Sequence, residues 1–220
     1  MPPNFDRIAP LYRWLEYLTF GWALHRCRNS FLSAVTSCRR ALVLGDGDGR
    51  FMARLLASNP HLQVDAIDLS PAMLVRLSRR AHGADPTAAS RLRTNVADAR
   101  TFLPTGSYDL VVTHFFLDCL TQPEVESLAT RIRPYLAPNA LWLLSEFRIP
   151  KGSLRLPARA LIRSLYFGFR ILTGLRTSQL PDHAAALSAI GLCRSSQRLF
   201  FAGLLTAELW QLKPDSPPGV

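Results

Sequence analysis

The order of strand-like and helix-like segments predicts an α/β fold, with a mostly parallel sheet covered by helices on both faces. The first observation is an apolar run over 41–44 that enters a glycine-rich turn and then a helical pattern. The second is a strand pattern over 63–68 that ends in an acid and precedes a helix start. The third is that two further strand patterns follow, over 108–114 and 140–147. A chain of 220 residues is long enough to bury one core of this kind.

The turn after the first strand carries glycine at Gly45, Gly47 and Gly49. Between a buried strand and a helix N-terminus, such a turn lets a ligand lie directly against the backbone, although glycine turns also occur there for purely structural reasons. A dinucleotide fingerprint requires Gly-x-Gly-x-x-Gly, but the sixth position here is Arg50. The spacing therefore favours a nucleoside without a pyrophosphate.

Acidic residues follow the next two strands. Asp68 ends the second strand, 19 residues after the last glycine of the turn, where a carboxylate can accept hydrogen bonds from both ribose hydroxyls. Ser70 and Pro71 then provide an N-cap and a first-turn proline for the next helix. Asp98 follows a third strand predicted over 91–96, where it can accept a hydrogen bond from the exocyclic amine of a purine.

These segments resemble the class I S-adenosylmethionine-dependent methyltransferases over nearly the whole chain. The matching segments are 43–49, 66–74, 96–98 and 108–112, and residues 4–12 resemble the start of quinone-pathway C-methyltransferases. The resemblance implies a Rossmann-like, seven-stranded sheet with an antiparallel last strand, S-adenosyl-L-methionine as cofactor and methyl transfer to a small acceptor. It also implies the following cofactor-contacting residues: Tyr12, Gly45, Asp46, Gly47, Gly49, Asp68, Leu69, Met73, Asp98, Ala99 and His114.

We expect one methyltransferase domain over residues 1–220. Its parts are an N-terminal helical segment (1–40), a cofactor-binding core (41–147), a basic helical lid (148–198) and a terminal hairpin with a tail (199–220). The hairpin is predicted from strand patterns over 197–201 and 204–212, separated by a turn that contains Gly203.

One position departs from the family pattern. The acid that usually stands two residues before the first glycine is replaced by Val43, so Asp46 and Asp48 become candidates for holding the cofactor's ammonium group. The Gly-Asp-Gly sequence also resembles the aminopropyltransferases that make spermidine. Those enzymes carry an acidic Asp-x-x-Asp-Pro-like segment after the fourth strand, whereas residues 113–118 here are mostly apolar. The sequence therefore favours methyl transfer over aminopropyl transfer.

The net charge of +10 is concentrated outside the predicted core. Residues 1–40 carry +4 and residues 148–198 carry +8, whereas residues 41–147 carry −1. Either substrate recognition or an arginine-rich solvated surface explains this distribution. The four cysteines have no metal-ligand spacing, so we expect no metal site and reduced thiols. No signal-peptide pattern and no long uncharged apolar run are present, which predicts a cytoplasmic protein.

A basic amphipathic helix is predicted over 157–175. Arg159, Arg163 and Arg170 fall on one side of a helical wheel. The apolar residues on the other side are Leu161, Ile162, Leu165, Phe169 and Leu172. Such a helix is typical of a lid that rests on an anionic membrane, at the inner membrane face, or on a lipophilic substrate, but also of a helix packed on the sheet. No recognition motif points to nucleic acid.

Methyl transfer needs a general base only when the acceptor must lose a proton. His114, just beyond the fourth strand, is the first candidate, and a neutral histidine in the cavity wall is its simpler interpretation. Asp118, Glu146, Tyr166 and His183 are weaker candidates, since Asp118 is also suited to cap the helix that begins near residue 121, and Glu146 to pair with Arg148. The leading hypothesis is a methyltransferase for a small lipophilic or aromatic acceptor. The alternative is a cofactor-binding scaffold without turnover.

Overall fold

A seven-stranded sheet forms the centre of the structure, a computed structural model that describes residues 22–173, 177 and 179–213, with the side chains of 167 and 169–173 excepted. In chain order its strands are β1 (Arg40–Leu44), β2 (Gln63–Asp68), β3 (Leu92–Val96), β4 (Tyr108–His114), β5 (Leu136–Phe147), β6 (Leu192–Phe200) and β7 (Leu205–Leu212). Their spatial order is β3-β2-β1-β4-β5-β7-β6. The first five strands pair in parallel, and β7 runs antiparallel to both β5 and β6.

Helices cover both faces of this sheet. They are α1 (Trp22–Asn29), α2 (Arg50–Ser58), α3 (Pro71–Ala84), α4 (Ala88–Arg91), α5 (Gln122–Ile132), α6 (Arg155–Thr173) and α7 (His183–Ala189). Side chains of α1, α2, α3 and α6 share one apolar cluster with one face of the sheet, and those of α5 and α7 share a second cluster with the other face. The predicted α/β fold, with a mostly parallel sheet and an antiparallel terminal pair, is confirmed.

The predicted bounds hold for β2 and β4 but not for β3 and β5. β3 begins at Leu92, because Arg91 ends α4 and turns its guanidinium into the protein. There Arg91 donates to the carbonyls of Asn59 and Leu62 at 3.0 and 3.3 Å. β5 begins at residue 136 rather than 140, since the exposed Pro138 and Asn139 interrupt the apolar pattern after Leu136.

The terminal hairpin is longer than predicted. β6 begins at Leu192 rather than at residue 197, and β7 begins at Leu205 rather than 204. β6 lies at one edge of the sheet, opposite β3, and its side chains from Cys193 to Leu199 are exposed. An edge strand of this kind needs no alternating apolar residues, so the sequence carries little signal for its first half.

Side chains cap the N-termini of α3 and α5. Ser70 caps α3 as predicted, because its hydroxyl accepts a hydrogen bond from the Met73 amide at 3.1 Å. Asp118 does not cap α5, contrary to expectation. Thr121 and Glu124 form a capping box at that helix, so Asp118 lies in the preceding turn with its carboxyl available for other contacts.

The basic helix is confirmed as α6, two residues earlier than predicted. Arg159 and Arg163 are exposed, whereas Ile162 and Tyr166 are buried against the first apolar cluster. The predicted partners on the last turns, Phe169, Arg170 and Leu172, lie outside the described side chains. In the described part of the chain, no helix is both long and apolar enough to span a membrane.

Glu208 holds the antiparallel end of the sheet together. Its carboxylate accepts hydrogen bonds from Thr206 at 3.0 Å and from the indole of Trp210 at 2.9 Å, and it pairs with Arg194 at 3.2 Å and His183 at 3.4 Å. Burial alone would raise the pKa of Glu208, but His183, Arg194 and Trp210 outweigh it and lower the pKa to about 2. The ionised carboxylate therefore stabilises the fold.

We expect Glu208→Gln to lower the free energy of unfolding by about 2 kcal/mol at pH 7, the scale for hydrogen bonds to a charged group. Because the folded-state pKa is depressed, this contribution is present above the unfolded value of 4.5 and is lost as the pH falls towards about 2. Urea unfolding between pH 7 and pH 2 checks it, with Glu126→Gln on the exposed face of α5 as control. A stability difference that does not change with pH would contradict this assignment.

Candidate functional site

A cavity opens at the carboxyl ends of the parallel strands, between the turn after β1 and the residues that follow β2, β3, β4 and β5. One half is lined by Gly45, Gly47, Ile67, Asp68, Leu69, Met73, Ala97, Asp98, Ala99 and Arg100. The other half is lined by Phe115, Phe116, Asp118, Cys119, Leu120, Phe147 and Tyr166. We call these the nucleoside half and the acceptor half. Ligands of open α/β sheets bind at this edge.

The glycine turn forms the floor of the nucleoside half, and its glycines serve different purposes. All three have positive φ, at +66°, +60° and +80° for Gly45, Gly47 and Gly49. A Cβ at Gly45 would lie 2.4 Å from the Phe116 ring, and one at Gly49 would lie 2.5 Å from the Leu77 backbone. A Cβ at Gly47 would meet no protein atom within 4 Å. Gly45 and Gly49 are therefore needed for packing, and Gly47 leaves space at the cavity floor.

Asp68, Leu69 and Met73 form the next wall of the nucleoside half. Asp68 ends β2, and its Oδ1 accepts a hydrogen bond from the Ser70 amide at 2.8 Å, which fixes the carboxylate at the start of α3. The α3 helix begins with Pro71 and turns Met73 towards the cavity. The structure thus brings these three sequence-predicted residues together beside the glycine turn.

Asp98 and Ala99 also line the cavity, but Asp98 is already paired. The Asp98 carboxylate accepts hydrogen bonds from Arg100 Nε at 3.0 Å and Nη2 at 2.6 Å. It also accepts one from the backbone amide of Arg100 at 2.9 Å. These bonds lower the pKa of Asp98 and raise that of Arg100. Arg100 also reaches Glu124 at 3.2 Å. No sequence pattern indicated Arg100, which shares the carboxylate predicted to receive a purine amine.

Asp46, Asp48 and Val43 do not reach the cavity lining. Asp46 Oδ2 accepts from the Met52 amide at 3.0 Å and so caps α2, while its buried Oδ1 has no hydrogen-bond partner. Burial raises the pKa of Asp46 to about 7. Asp48 instead pairs with Arg50 and Arg80 at 2.9 and 2.7 Å. Val43, where the family usually has an acid, is 1% exposed within the first apolar cluster.

His114, the first candidate for a general base, lies beneath the cavity rather than in its lining. It is 3% exposed, and its ring contacts Phe51 edge-on at 4.4 Å between centroids. Neither ring nitrogen has a hydrogen-bond partner. Burial, reinforced by the charge of Arg28, holds the pKa of His114 well below its usual value. The structure therefore does not bring His114 together with the other predicted site residues.

Aromatic rings form most of the acceptor half. Phe115 and Phe147 contact each other at 5.3 Å between ring centroids, and Phe116 lies over the glycine turn. Tyr166 reaches in from α6 and donates its hydroxyl to the Asp118 carbonyl at 2.9 Å. No sequence motif marked these phenylalanines. Their place directly after β4 and at the end of β5 is the signal that could have identified them.

Asp118 and Glu146 form a pair of buried carboxyl groups at the back of the acceptor half. Glu146 Oε1 accepts hydrogen bonds from the amides of Phe116 and Leu117 at 3.3 and 2.9 Å, so it binds backbone rather than Arg148 as predicted. Burial, followed by the charge of Asp118, raises the pKa of Glu146 well above its usual value. Burial also raises the pKa of Asp118, which unlike Glu146 faces the cavity.

The two remaining candidates lie apart from this site. His183 pairs with Glu208 at 3.4 Å and is not among the described residues that line the cavity. Tyr12 lies outside the described residues. Seven of the predicted cofactor residues therefore meet in one cavity: Gly45, Gly47, Asp68, Leu69, Met73, Asp98 and Ala99.

Comparison with known proteins agrees with this geometry. The model of the methyltransferase domain family matches residues 42–142, which contain the glycine turn, Asp68 and Asp98. Over these residues the chain is similar to the class I S-adenosylmethionine-dependent methyltransferases. The solved structure of the N-methyltransferase NodS from Bradyrhizobium japonicum WM9, in complex with S-adenosyl-L-homocysteine, shares the fold with a TM-score of 0.64. It is 16% identical, and the match covers 86% of this chain and 87% of that one.

Two curated relatives match more closely in sequence but over shorter stretches. Polyamine aminopropyltransferase 2 of Bacillus anthracis is 32% identical over 126 residues, which are 52% of this chain and 32% of the relative. Malonyl-[acyl-carrier protein] O-methyltransferase of Paenibacillus sp. (strain JDR-2) is 30% identical over 84 residues, which are 38% of this chain and 30% of the relative. The match thus spans about a third of the length of each relative.

The residues present fit S-adenosylmethionine, the cofactor of the methyltransferase family. Gly47 leaves open space where a side chain would stand, and Asp68 offers a carboxylate at the end of β2. Leu69, Met73 and Ala99 give this half of the cavity apolar walls suited to a purine ring. Open space, a hydrogen-bond acceptor and apolar surface are therefore arranged as a nucleoside requires.

We expect Gly47→Val to abolish binding of S-adenosylmethionine, because the new side chain would occupy the cavity floor. Gly152→Val is the matched control. Gly152 also has positive φ, at +81°, and also has no atom within 4 Å of a built Cβ, but it lies outside the cavity lining. Both variants therefore strain the backbone at a positive φ, but only Gly47→Val obstructs the cavity. Calorimetry checks this prediction, and equal affinity in both variants would show that the turn only connects β1 to α2.

Proposed function

We propose that this chain transfers a methyl group from S-adenosylmethionine to a small acceptor that is lipophilic or aromatic, by in-line displacement. The single observation that carries the proposal is the continuity of the cavity, whose nucleoside half opens directly into an aromatic acceptor half. The match of residues 42–142 to the methyltransferase domain family supports the choice of cofactor. The acceptor half supports the choice of acceptor class.

The residues that line the cavity have two roles, which are to bind the two ligands and to exclude water. The Asp68 carboxylate accepts hydrogen bonds from ribose hydroxyls, each worth about 1.5–3 kcal/mol because the group is charged. The backbone at Gly45 and Gly47 lets the ligand approach without side-chain obstruction. S-adenosylmethionine supplies a methyl group that is already electrophilic on a sulfonium. The remaining requirement is an acceptor held in line, with water excluded.

The acceptor half meets that requirement with rings. Phe115, Phe116, Phe147 and Tyr166 leave a mainly apolar surface, which excludes water and favours a flat apolar molecule. The ring of Phe116 also contacts the glycine turn, so the acceptor wall and the cofactor floor are in direct contact. This contact supports transfer between two ligands held side by side.

Aminopropyl transfer is the second candidate, favoured by the sequence match to the Bacillus anthracis protein. A polyamine substrate is cationic and needs several carboxylates. In the acceptor half, the described lining has one carboxylate, Asp118, among four aromatic residues. The by-product separates the two candidates, because methyl transfer releases S-adenosylhomocysteine whereas aminopropyl transfer releases methylthioadenosine.

We also propose that α6 rests on an anionic membrane surface. Leu154 and Leu156 are exposed at the start of this helix, Leu156 by 75%, and they lie among the basic residues Lys151 and Arg155. Arg159 and Arg163 continue the exposed basic side. Exposed leucine beside arginine is typical of helices that lie in a membrane interface. A lipophilic acceptor would reach the cavity from that surface.

The methyl-transfer proposal predicts that purified protein binds S-adenosylmethionine and releases S-adenosylhomocysteine in the presence of an acceptor. Asp68→Ala is expected to weaken cofactor binding by about 1.5–3 kcal/mol. Calorimetry measures the affinity, and transfer of a labelled methyl group from the cofactor measures turnover. Binding without transfer to any acceptor would favour the non-catalytic scaffold, and failure to bind the cofactor would contradict the proposal.

The membrane proposal predicts co-flotation with vesicles that contain phosphatidylserine at low salt. Replacing both Arg159 and Arg163 with Gln is expected to weaken association by about 2 kcal/mol, at about 1 kcal/mol for each basic residue near the surface. Added salt should mimic the change, because the attraction extends about 8 Å at physiological ionic strength. The control replaces Arg76 and Arg79, exposed on α3, with Gln. Equal loss in both double variants would contradict a surface centred on α6.

A further inference from the structure

We propose that Asp118 receives the proton of the acceptor, and that the acceptor is a planar apolar molecule carrying a hydroxyl group. This inference rests on the proposed methyl transfer and names the acceptor chemistry at the same site. It starts from the position of one buried carboxylate on the acceptor side of the cavity.

Asp118 is the only carboxylate among the described residues that line the acceptor half. The other two lining carboxylates belong to the nucleoside half, where Asp68 stands at the end of β2 and Asp98 is paired with Arg100. Asp118 is 9% exposed, and that exposure opens onto the cavity. A hydroxyl group placed among the phenylalanines therefore has Asp118 as its charged acceptor.

The turn that carries Asp118 is fixed from several sides. The Tyr166 hydroxyl donates a hydrogen bond to the Asp118 carbonyl at 2.9 Å, and the Cys119 thiol donates one to Asp118 Oδ1 at 3.6 Å. Glu146 holds the preceding backbone through the amides of Phe116 and Leu117. These contacts hold Asp118 at the cavity wall without depending on the ligand for its position.

Within the pair formed by Asp118 and Glu146, the neighbouring groups favour ionisation of Asp118. Glu146 on β5 is the more enclosed of the two and has an Oε2 without a hydrogen-bond partner, and burial raises its pKa well above the usual value. Tyr166 on α6 and Cys119 stay neutral, since burial raises the pKa of each. His183 on α7 favours the ionised form of Asp118. Burial still raises the pKa of Asp118, which makes its carboxylate a stronger base.

This environment selects a hydroxyl over an amine. An aliphatic amine is protonated at neutral pH, so it would carry its charge into an aromatic cavity and has no lone pair for attack. An aromatic amine is neutral, but it loses its proton only after attack and gains little from a nearby carboxylate. A phenol, by contrast, becomes a strong nucleophile as its proton passes to a base. The phenyl rings of Phe115, Phe116 and Phe147 offer faces and edges for a flat ring. In the reaction, the acceptor O–H bond breaks and its proton passes to the Asp118 carboxylate. The oxygen forms a bond to the methyl carbon, and the carbon–sulfur bond pair passes to sulfur as a neutral thioether.

The test uses 1-naphthol and 1-naphthylamine, which have the same shape and differ in the group offered. We expect 1-naphthol to bind the protein loaded with S-adenosylhomocysteine, and to be methylated by the protein loaded with S-adenosylmethionine, at least tenfold better than 1-naphthylamine. Asp118→Asn is expected to lower the rate with 1-naphthol by about 10²–10⁴-fold. Cofactor affinity, which reports a folded nucleoside half, should stay within twofold. Glu126→Gln on the exposed face of α5 is the matched control for the loss of a carboxylate.

The pH profile separates a proton acceptor from a merely structural residue. The ionised form of Asp118 is the active form, so kcat/KM for 1-naphthol should rise with pH between 5 and 8. Asp118→Asn should remove this rise, whereas Glu146→Gln, which copies the protonated carboxyl, should keep it. A flat profile in the wild-type protein overturns the inference even if Asp118→Asn does not fold.

Other results would also overturn it. These are a preference for 1-naphthylamine, absence of 1-naphthol binding to the protein loaded with S-adenosylhomocysteine, and loss of the pH-dependent rise in Glu146→Gln alone. Each of these outcomes leaves cofactor binding intact. Failure of the cofactor to bind, by contrast, would reject the proposed function itself, so the two failures are distinguishable.

Discussion

The packing of the glycine turn against its neighbours is the constraint on which the rest of the site depends. Gly45 lies against Phe116, and Gly49 lies against the backbone of Leu77, so neither position has room for a side chain. These contacts join the end of β1 to the segment after β4 on one side and to α3 on the other. Because α3 also begins at the Ser70 cap beside Asp68, the turn, the carboxylate and the aromatic wall form one rigid unit. The cavity is the space that this unit leaves at Gly47.

Burial acts differently on the carboxyl groups of this protein, because each has different neighbours. Glu208 is surrounded by donors and cations and stays ionised, which stabilises the antiparallel end of the sheet. Glu146 has two backbone donors and another carboxyl nearby, and burial with the charge of that carboxyl raises its pKa well above the usual value. Asp118 lines the cavity, and burial raises its pKa although the charge of His183 opposes that shift. Neighbours rather than exposure decide which carboxyl stabilises the fold and which is available for chemistry.

The sequence predicted the nucleoside half of the site much better than the acceptor half. Gly45, Gly47 and Asp68 follow the buried strands β1 and β2, and Asp98 follows the edge strand β3, so local strand patterns identified them. The acceptor half depends on contacts between distant segments, such as Tyr166 with the Asp118 carbonyl and Glu146 with the Leu117 amide. No local pattern encodes these pairs. The same reason explains the failures at single residues: helix capping draws Asp46 away from the cavity, and packing against Phe51 keeps His114 beneath it.

The α6 helix contributes both to the acceptor half of the cavity and to the exposed basic surface. The buried side of α6 supplies Tyr166 to the acceptor half, while its exposed side presents Arg159 and Arg163 with Leu156 at its start. A helix that binds a membrane surface through the exposed side would hold the aromatic cavity next to the phase in which a lipophilic acceptor is most concentrated. The excess of positive charge lies outside residues 41–147, which carry a net charge of only −1. In the described cavity lining the basic residue is Arg100, which is paired with Asp98 in the nucleoside half. The described lining of the acceptor half thus has no cationic side chain, which would lower the pKa of Asp118 and weaken it as a proton acceptor.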